Sequence, residues 1–191
     1  MIYSLFQYLK VKIDKHDAVN LYVSIVTDTG SFRYSNTTQA VHRTVADLIA
    51  RGVEPAKVAS QIYESHSLES RRLLTEVLQT LQVTKDGTVA WLKVTPAMLK
   101  RWGARAEETE GFVDCARSIA GVKVAFFLRE SERHQTKVSL RAKGDADVNR
   151  IAKHFGGGGH RAASGCVIPL PMKEAEKQLL KEIRRSLHRK R

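Results

Sequence analysis

The hydrophobic pattern of this chain changes near residue 83, and this change constrains the fold more than any other feature of the sequence. Before it, apolar residues recur at the spacing of amphipathic helices, so residues 1–82 predict a helical unit. After it, strand-like runs alternate with short helical ones, and residues 83–94 predict two strands around an Asp-Gly turn. We therefore expect an α/β protein, divided into 1–82 and a small mixed α/β domain at 83–191.

The first part predicts a series of helices with recognisable ends. The one beginning at Ile2 has an apolar face but no capping residue, so we expect further sequence ahead of it. The next, capped by Asp14, is apolar around most of its circumference, which is typical of a buried helix. The later helices are expected to begin at Thr37 or Thr38, at Pro55, and ahead of Leu73.

The second part has enough elements for a domain with its own core. Apolar runs at residues 122–129 and 136–143 predict two paired strands. The other expected elements are short helices at Pro96 and Phe112, a helix capped by Asp145 or Asp147, an edge strand at 166–170 and a basic amphipathic helix from about Met172.

Positive charge is the main compositional signal. The chain has 32 Lys and Arg against 20 Asp and Glu, a formal charge of +12, and residues 172–191 contribute eight basic and three acidic groups. Such a field favours polyanionic partners such as nucleic acid, nucleotides or anionic lipid; a soluble basic surface without a partner is the alternative.

Other classes of protein are excluded by the sequence. No apolar run approaches the roughly 18 residues of a transmembrane helix, so no membrane partner is expected. The first residues lack the basic segment and cleavage site of a signal peptide. Cys115 and Cys166 lie far apart, without zinc-ligand spacing, which is typical of a cytoplasmic protein with free thiols.

The strongest local signal is the glycine run Gly156–Gly159, followed by His160 and Arg161. Glycines after a helix allow close approach of a ligand, and their N–H groups can form an anion-binding concavity. The alternative is a flexible linker, which is rare between a helix and a strand of one compact domain. The run lacks the Gly-Lys-Ser/Thr ending of a Walker A loop.

Two other sets of residues are candidates for chemistry. Asp28 follows an apolar helix and begins a polar and aromatic segment, so it predicts either a metal ligand or a simple turn residue. Arg129, Arg141 and Lys143 lie on the paired strands and are either phosphate ligands or solvated side chains. For Asp145 and Asp147, helix capping is a sufficient explanation.

These motifs together resemble the DHH family of phosphoesterases, in particular its bacterial oligoribonucleases that also act on 3′-phosphoadenosine 5′-phosphate. Residues 21–38 match a run typical of that type, and Gly156–His160 resembles the hallmark of the DHH-associated C-terminal domain. Residues 110–114 and 138–141 match as well, so the resemblance covers essentially the whole chain.

The resemblance implies a helical end of a catalytic lobe, followed by a substrate-binding domain. In the complete enzyme two Mn²⁺ or Mg²⁺ ions activate a water. By analogy Asp28 is a metal ligand, and short RNA or nucleotide phosphates bind the residues of the C-terminal domain. The implied binding residues are Gly157, Gly158, Gly159 and His160, with Arg129 and Arg141 as helpers.

The sequence departs from that family at its front, because it contains no Asp-His-His and no early Asp-x-Asp motif. One carboxylate cannot hold two divalent ions, so we expect that this chain alone binds no metal stably and is not a competent phosphoesterase. It is then a truncated, split or partial protein, whose missing lobe could come from a separate chain. The alternatives are a non-catalytic nucleic-acid-binding module and a remnant without function.

Overall fold

A computed structural model of the chain describes residues 2–131 and 134–188. It divides into two compact units between residues 65 and 66. The described part of the first unit is helical: α1 spans Ile2–Tyr8, α2 Lys15–Asp28, α3 Gln39–Ala50 and α4 Pro55–Tyr63.

The helices of the first unit begin where the sequence places capping residues. Asp14 accepts a hydrogen bond from the amide of Asp17 at 2.9 Å, and the Asp17 carboxylate accepts one from the amide of Asp14 at 3.3 Å. This reciprocal capping satisfies two donors at the start of α2. Of the two candidate caps for α3, Thr38 is the one that accepts from Val41.

One expectation for this unit is wrong, because α2 is not buried around its circumference. Ala18, Tyr22 and Val26 are buried, and their four-residue spacing defines a single stripe. The apolar residues beside that stripe are only partly buried among the described residues, since the α3 and α4 side chains of the same core cover one face. The partly buried residues of α2 are Val19, Leu21, Val23 and Ile25.

The second unit begins with α5, Leu68–Leu78, ahead of the predicted boundary after residue 82. Leu73 and Val77 of α5 are fully buried in the core of this unit. The hydrophobic pattern changes from helical to strand-like spacing only after α5. A boundary predicted at that change therefore assigns α5 to the first unit, together with the helices that precede it.

A mixed sheet of six described strands organises the second unit, in the order β1-β2-β3-β4-β6-β5. The pair β2–β3 is parallel and the other neighbours are antiparallel. The strands are β1 Gln82–Val83, β2 Val89–Val94, β3 Val124–Glu130, β4 Thr136–Ala142, β5 Gly158–Gly159 and β6 Ala163–Ile168. The helices are α6 Pro96–Trp102, α7 Phe112–Ser118, α8 Val148–His154 and α9 Met172–His188, with a 3-10 turn at Ala106–Thr109.

The predicted pairing of the two long strands is confirmed, with Phe126 opposite Leu140. The last strand begins earlier and ends earlier than the predicted 166–170. Gly158 and Gly159, for which no strand was predicted, form β5 and pair with Gly165 and Ser164. A strand made of glycines shows no alternation of hydrophobic and polar side chains, so the sequence pattern does not predict it.

Both faces of the sheet are covered, which explains the continuous apolar run of β3. Phe126 and Leu128 pack with α8 and α9, whereas Ala125 and Phe127 pack with α5, α6 and α7. We call these the α8–α9 face and the α7 face. Phe126 is fully buried and stacks on Trp91, with ring centroids 5.4 Å apart.

Replacing Phe126 with alanine should destabilise the chain by about 3–5 kcal/mol, because a large cavity opens in the core. Urea unfolding of the full chain measures this loss. Val167→Ala on β6 is the control, since this side chain is 50% exposed and its truncation should cost within about 0.5 kcal/mol. Similar losses in both variants would contradict the two-sided core.

Candidate functional site

A cleft of about 200 Å³ lies on the α7 face of the sheet. Three of its residues, Lys137, Ser139 and Arg141, alternate along β4, and successive side chains of a strand point to opposite faces. They therefore share the α7 face, while Val138 and Leu140 enter the core on the other side. Arg129 at the end of β3 completes the basic wall.

Arg141 has a polar group without a partner. Its Nη1 donates to the carbonyl oxygen of Leu140 at 3.1 Å, but its Nε is buried and makes no hydrogen bond with any described residue. Leaving a buried donor unsatisfied costs about 1–3 kcal/mol, and more when the donor belongs to a charged group. This N–H is therefore suited to an acceptor brought by a ligand. Arg129, in contrast, donates to the carbonyl oxygen of Ala106.

The opposite wall of the cleft is the segment from the 3-10 turn to α7, and Glu108 fixes it in place. Its carboxylate accepts from the hydroxyl of Ser67 at 2.6 Å and from the amide of Arg105 at 2.7 Å. These hydrogen bonds, the one from Ser67 first, hold the pKa of Glu108 below its usual value. Glu107 and Glu110 line the same wall, so the cleft combines three cations with two carboxylates.

Strand register places part of the glycine edge on the same face of the sheet as the cleft. Ser139 lies opposite Gly165 on β6, and Gly165 lies opposite Gly158 on β5. Residues directly opposite each other share a face of the sheet. Since the two glycines have no side chain, bare backbone extends from Ser139 to the outer strand.

The glycines of the run have different local roles. Gly156, with φ of +73°, ends α8: its amide donates to Lys153, and the amide of Gly157 donates to Ala152 at 2.9 Å. This pair of bonds is the Schellman arrangement of a helix C-terminus. The proposed anion-binding concavity therefore cannot use these two amides, because they already have acceptors.

Two of the glycines are also required by packing. A Cβ on Gly157 would lie 2.2 Å from the carbonyl oxygen of Gly165. Gly159 has φ of +137° and its Cβ would lie 2.7 Å from the carbonyl oxygen of Ala163. Gly158, in contrast, has no atom within 4 Å of an added Cβ and is exposed.

His160 follows this edge in a tight turn. Its amide donates to the carbonyl oxygen of Ala163 at 2.8 Å, and its own carbonyl accepts from the hydroxyl of Ser164 at 2.7 Å. The side chain is exposed and its ring makes no hydrogen bond or ion pair with the described residues. Arg161 instead donates to the backbone carbonyl of Asp145 at 2.8 Å.

Asp28 belongs to the first unit, at the last position of α2. Three successive left-handed residues follow shortly after it, with φ of +55° at Gly30, +58° at Ser31 and +61° at Phe32. Non-glycine residues hold this conformation only where the surroundings enforce it. Here the ring of Tyr34 occupies the place of a Cβ on Gly30, at 2.3 Å.

A divalent metal does not fit the residues of this chain that the structure describes. Asp28 is exposed and its carbonyl, not its carboxylate, accepts from Asn36. No group of three or more His, Cys, Asp or Glu side chains able to hold a metal ion occurs within residues 2–131 and 134–188. Each Mn²⁺ or Mg²⁺ ion needs about six ligands, so Asp28 can supply only one of many.

The structure thus brings Arg129 and Arg141 into one cleft and places Gly158 beside it. Lys143 lies outside this cleft and donates to the carbonyl oxygen of Ile119 at 2.8 Å. Asp147 caps α8 through the amides of Asn149 and Arg150, so capping explains it. Lys137 and Ser139 were not among the residues predicted from sequence, although their alternation with Arg141 along the strand is a usable signal.

Gly157→Ala should destabilise the second unit by several kcal/mol, because backbone atoms 2.2 Å from the new Cβ cannot move aside. Gly158→Ala should change the free energy of unfolding by less than about 1 kcal/mol, since it meets no atom and its φ is not positive. Thermal and urea unfolding compare the two variants. Equal losses at both positions would contradict the arrangement of the glycine edge.

No described helix is long and apolar enough to cross a membrane. Both cysteines are free, and burial raises the pKa of the Cys166 thiol to about 11.

Comparison with known proteins connects these features to a family. The sequence profile of the DHHA1 domain matches residues 86–189, which contain the cleft and the glycine edge. The chain is 33% identical, over 99% of its length and 56% of the relative, to the bifunctional oligoribonuclease and PAP phosphatase NrnA of Thermus thermophilus. With the NrnA of Bacillus subtilis it shares 30% identity over 88% of its length and 53% of that protein.

The fold has a counterpart among solved structures. An exopolyphosphatase-related protein from Bacteroides fragilis aligns with 90% of the chain and 50% of its own length, at a TM-score of 0.79 and 31% identity. The chain spans about half the length of the curated relatives it matches. On the match over residues 86–189, this chain belongs to the DHHA1 domain family.

Proposed function

We propose that the chain is the C-terminal part of a DHH-type phosphoesterase and that its cleft binds the phosphate groups of short oligoribonucleotides and nucleotides. The observation that carries this proposal is the buried, unpartnered Nε of Arg141 in a cleft with Lys137 and Arg129. A phosphate oxygen is one of the strong, charge-assisted acceptors for a guanidinium N–H. The names of the relatives, an oligoribonuclease and a phosphatase acting on PAP, fit phosphate-ester ligands.

Each part of the cleft has a role in this proposal. Arg141 and Lys137 hold one phosphate, and the bare backbone at Gly158 lets the next part of the ligand lie close to the sheet edge. His160, exposed beside that edge, supplies a further donor. Glu107 and Glu110 accept hydrogen bonds from the ribose hydroxyls of the ligand. An ionised phosphate has no such donor to give to a carboxylate.

Hydrolysis needs ligands that the described residues do not supply. We therefore propose that Asp28 contributes one carboxylate to a centre for Mn²⁺ or Mg²⁺ whose other ligands come from another segment or a separate chain. The proposed setting is the cytoplasm. Without those ligands the chain acts as a binding unit only.

A non-catalytic nucleic-acid-binding module is the second candidate, favoured by the formal charge of +12. It predicts the same binding without any partner lobe. A remnant without function predicts no specific binding, so the binding measurement separates it from the other two possibilities.

Arg141→Gln should weaken binding of a fluorescently labelled RNA pentamer at least tenfold, because a charged hydrogen bond contributes about 1.5–3 kcal/mol. Fluorescence anisotropy at several salt concentrations measures this, and phosphate contacts make the affinity fall with salt. Arg184→Gln is the matched control, since Arg184 is exposed on α9 and lies outside the cleft. Equal weakening by both variants would indicate binding to net charge alone.

The purified chain with Mn²⁺ should release no mononucleotide from a short oligoribonucleotide and no phosphate from 3′-phosphoadenosine 5′-phosphate above the buffer rate. The reason is the incomplete ligand set around Asp28. Chromatography of the products and a phosphate assay measure both reactions. Release that Asp28→Ala abolishes would overturn the expectation and assign a complete centre to this chain.

A further inference from the structure

A second and larger cavity, of about 800 Å³, lies on the opposite side of the sheet from the cleft. It is a groove between α8, the end of α9 and the loop that joins β4 to α8. Its floor is apolar: Val124 and Ile151 belong to the core of the α8–α9 face, and Leu187 packs against that core. The volume is within the range of small-molecule sites, about 300–1,000 Å³.

The carboxylates of this groove are already engaged. Asp147 caps α8 through two backbone amides. Glu182 lies 3.7 Å from Arg185 and 3.9 Å from His154, and Asp145 lies 3.6 Å from Arg161. None of the three lies within ion-pair distance of Lys123, Arg150 or Lys153 in the described chain.

Three cations of the groove have no such partner. Lys123, Arg150 and Lys153 line it, are exposed, and make no hydrogen bond or ion pair through their side chains within the described ranges. Arg150 and Lys153 are three residues apart on α8, so they project from the same side of the helix. Lys123, directly before β3, lines the same groove.

Local structure accounts for only one of these three charges. Lys153 lies in the last turn of α8, where the helix dipole favours a cation. Arg150 lies in the first turn, where the same dipole disfavours one, and Lys123 lies outside the helix.

We propose that this groove binds a nucleoside polyphosphate, independently of the ligand in the cleft. The three unpaired cations match two or three phosphate charges, and the apolar floor matches a nucleoside body. Because the groove and the cleft lie on opposite faces of the sheet, one ligand does not occupy both.

The test uses the full chain with ATP as probe, and inorganic tripolyphosphate and adenosine as its separate halves. Hydrogen–deuterium exchange should show protection by ATP at residues 143–154 and 182–187. Calorimetry should show ATP binding at least tenfold tighter than either half. The variant Arg150→Gln/Lys153→Gln should lower the affinity for ATP at least tenfold. The control Lys177→Gln/Arg184→Gln should change that affinity less than twofold, because it removes equal charge from exposed positions of α9 outside the groove.

Several results would overturn the proposal. They are no ATP binding at millimolar concentration, protection confined to residues 137–141 and 158–160, and equal weakening by both double variants. If tripolyphosphate binds as tightly as ATP, the nucleoside does not contribute to binding and that part of the proposal is wrong. If adenosine binds as tightly as ATP, the same holds for the phosphates. RNA pentamer binding should be unchanged by Arg150→Gln/Lys153→Gln, so failure of the cleft and failure of the groove are measured separately.

Discussion

The antiparallel register of β4 and β6 determines which side chains of the second unit enter the core and which line the cleft. It places Ser139 opposite Gly165 and Val138 opposite Cys166, and a shift by one residue would exchange the two faces of β4. In the observed register Val138 and Leu140 fill the core, while Lys137, Ser139 and Arg141 line the cleft. Because Val138 and Leu140 must be buried on one face, the residues that alternate with them lie on the other face and supply its basic side chains.

The glycine run depends on the same register. Gly157 allows the chain to leave α8 against the backbone of Gly165, and Gly159 allows β5 to lie against Ser164. Gly158 has open space, on the side that its pairing assigns to the α7 face. A motif that looks uniform in sequence therefore combines helix termination, close strand packing and an exposed edge.

Charge is divided between the two faces of the sheet. On the α7 face, Arg141 has an unpartnered N–H beside two carboxylates of the opposite wall. On the α8–α9 face, the carboxylates are engaged and Lys123, Arg150 and Lys153 remain unpaired within the described chain. The net charge of the protein is thus less informative than the position and pairing of each charged group.

The sequence by itself determined the α/β class, the helix caps at Asp14 and the pairing of the two long strands, because these depend on local periodicity and turn chemistry. It also identified Arg129, Arg141 and the glycine run as candidates. Only the tertiary structure decided that α5 packs with the second unit, that α2 is buried along one stripe, and that glycines form the edge strand β5. These features depend on which surfaces meet across long sequence separations, and local patterns do not contain that information.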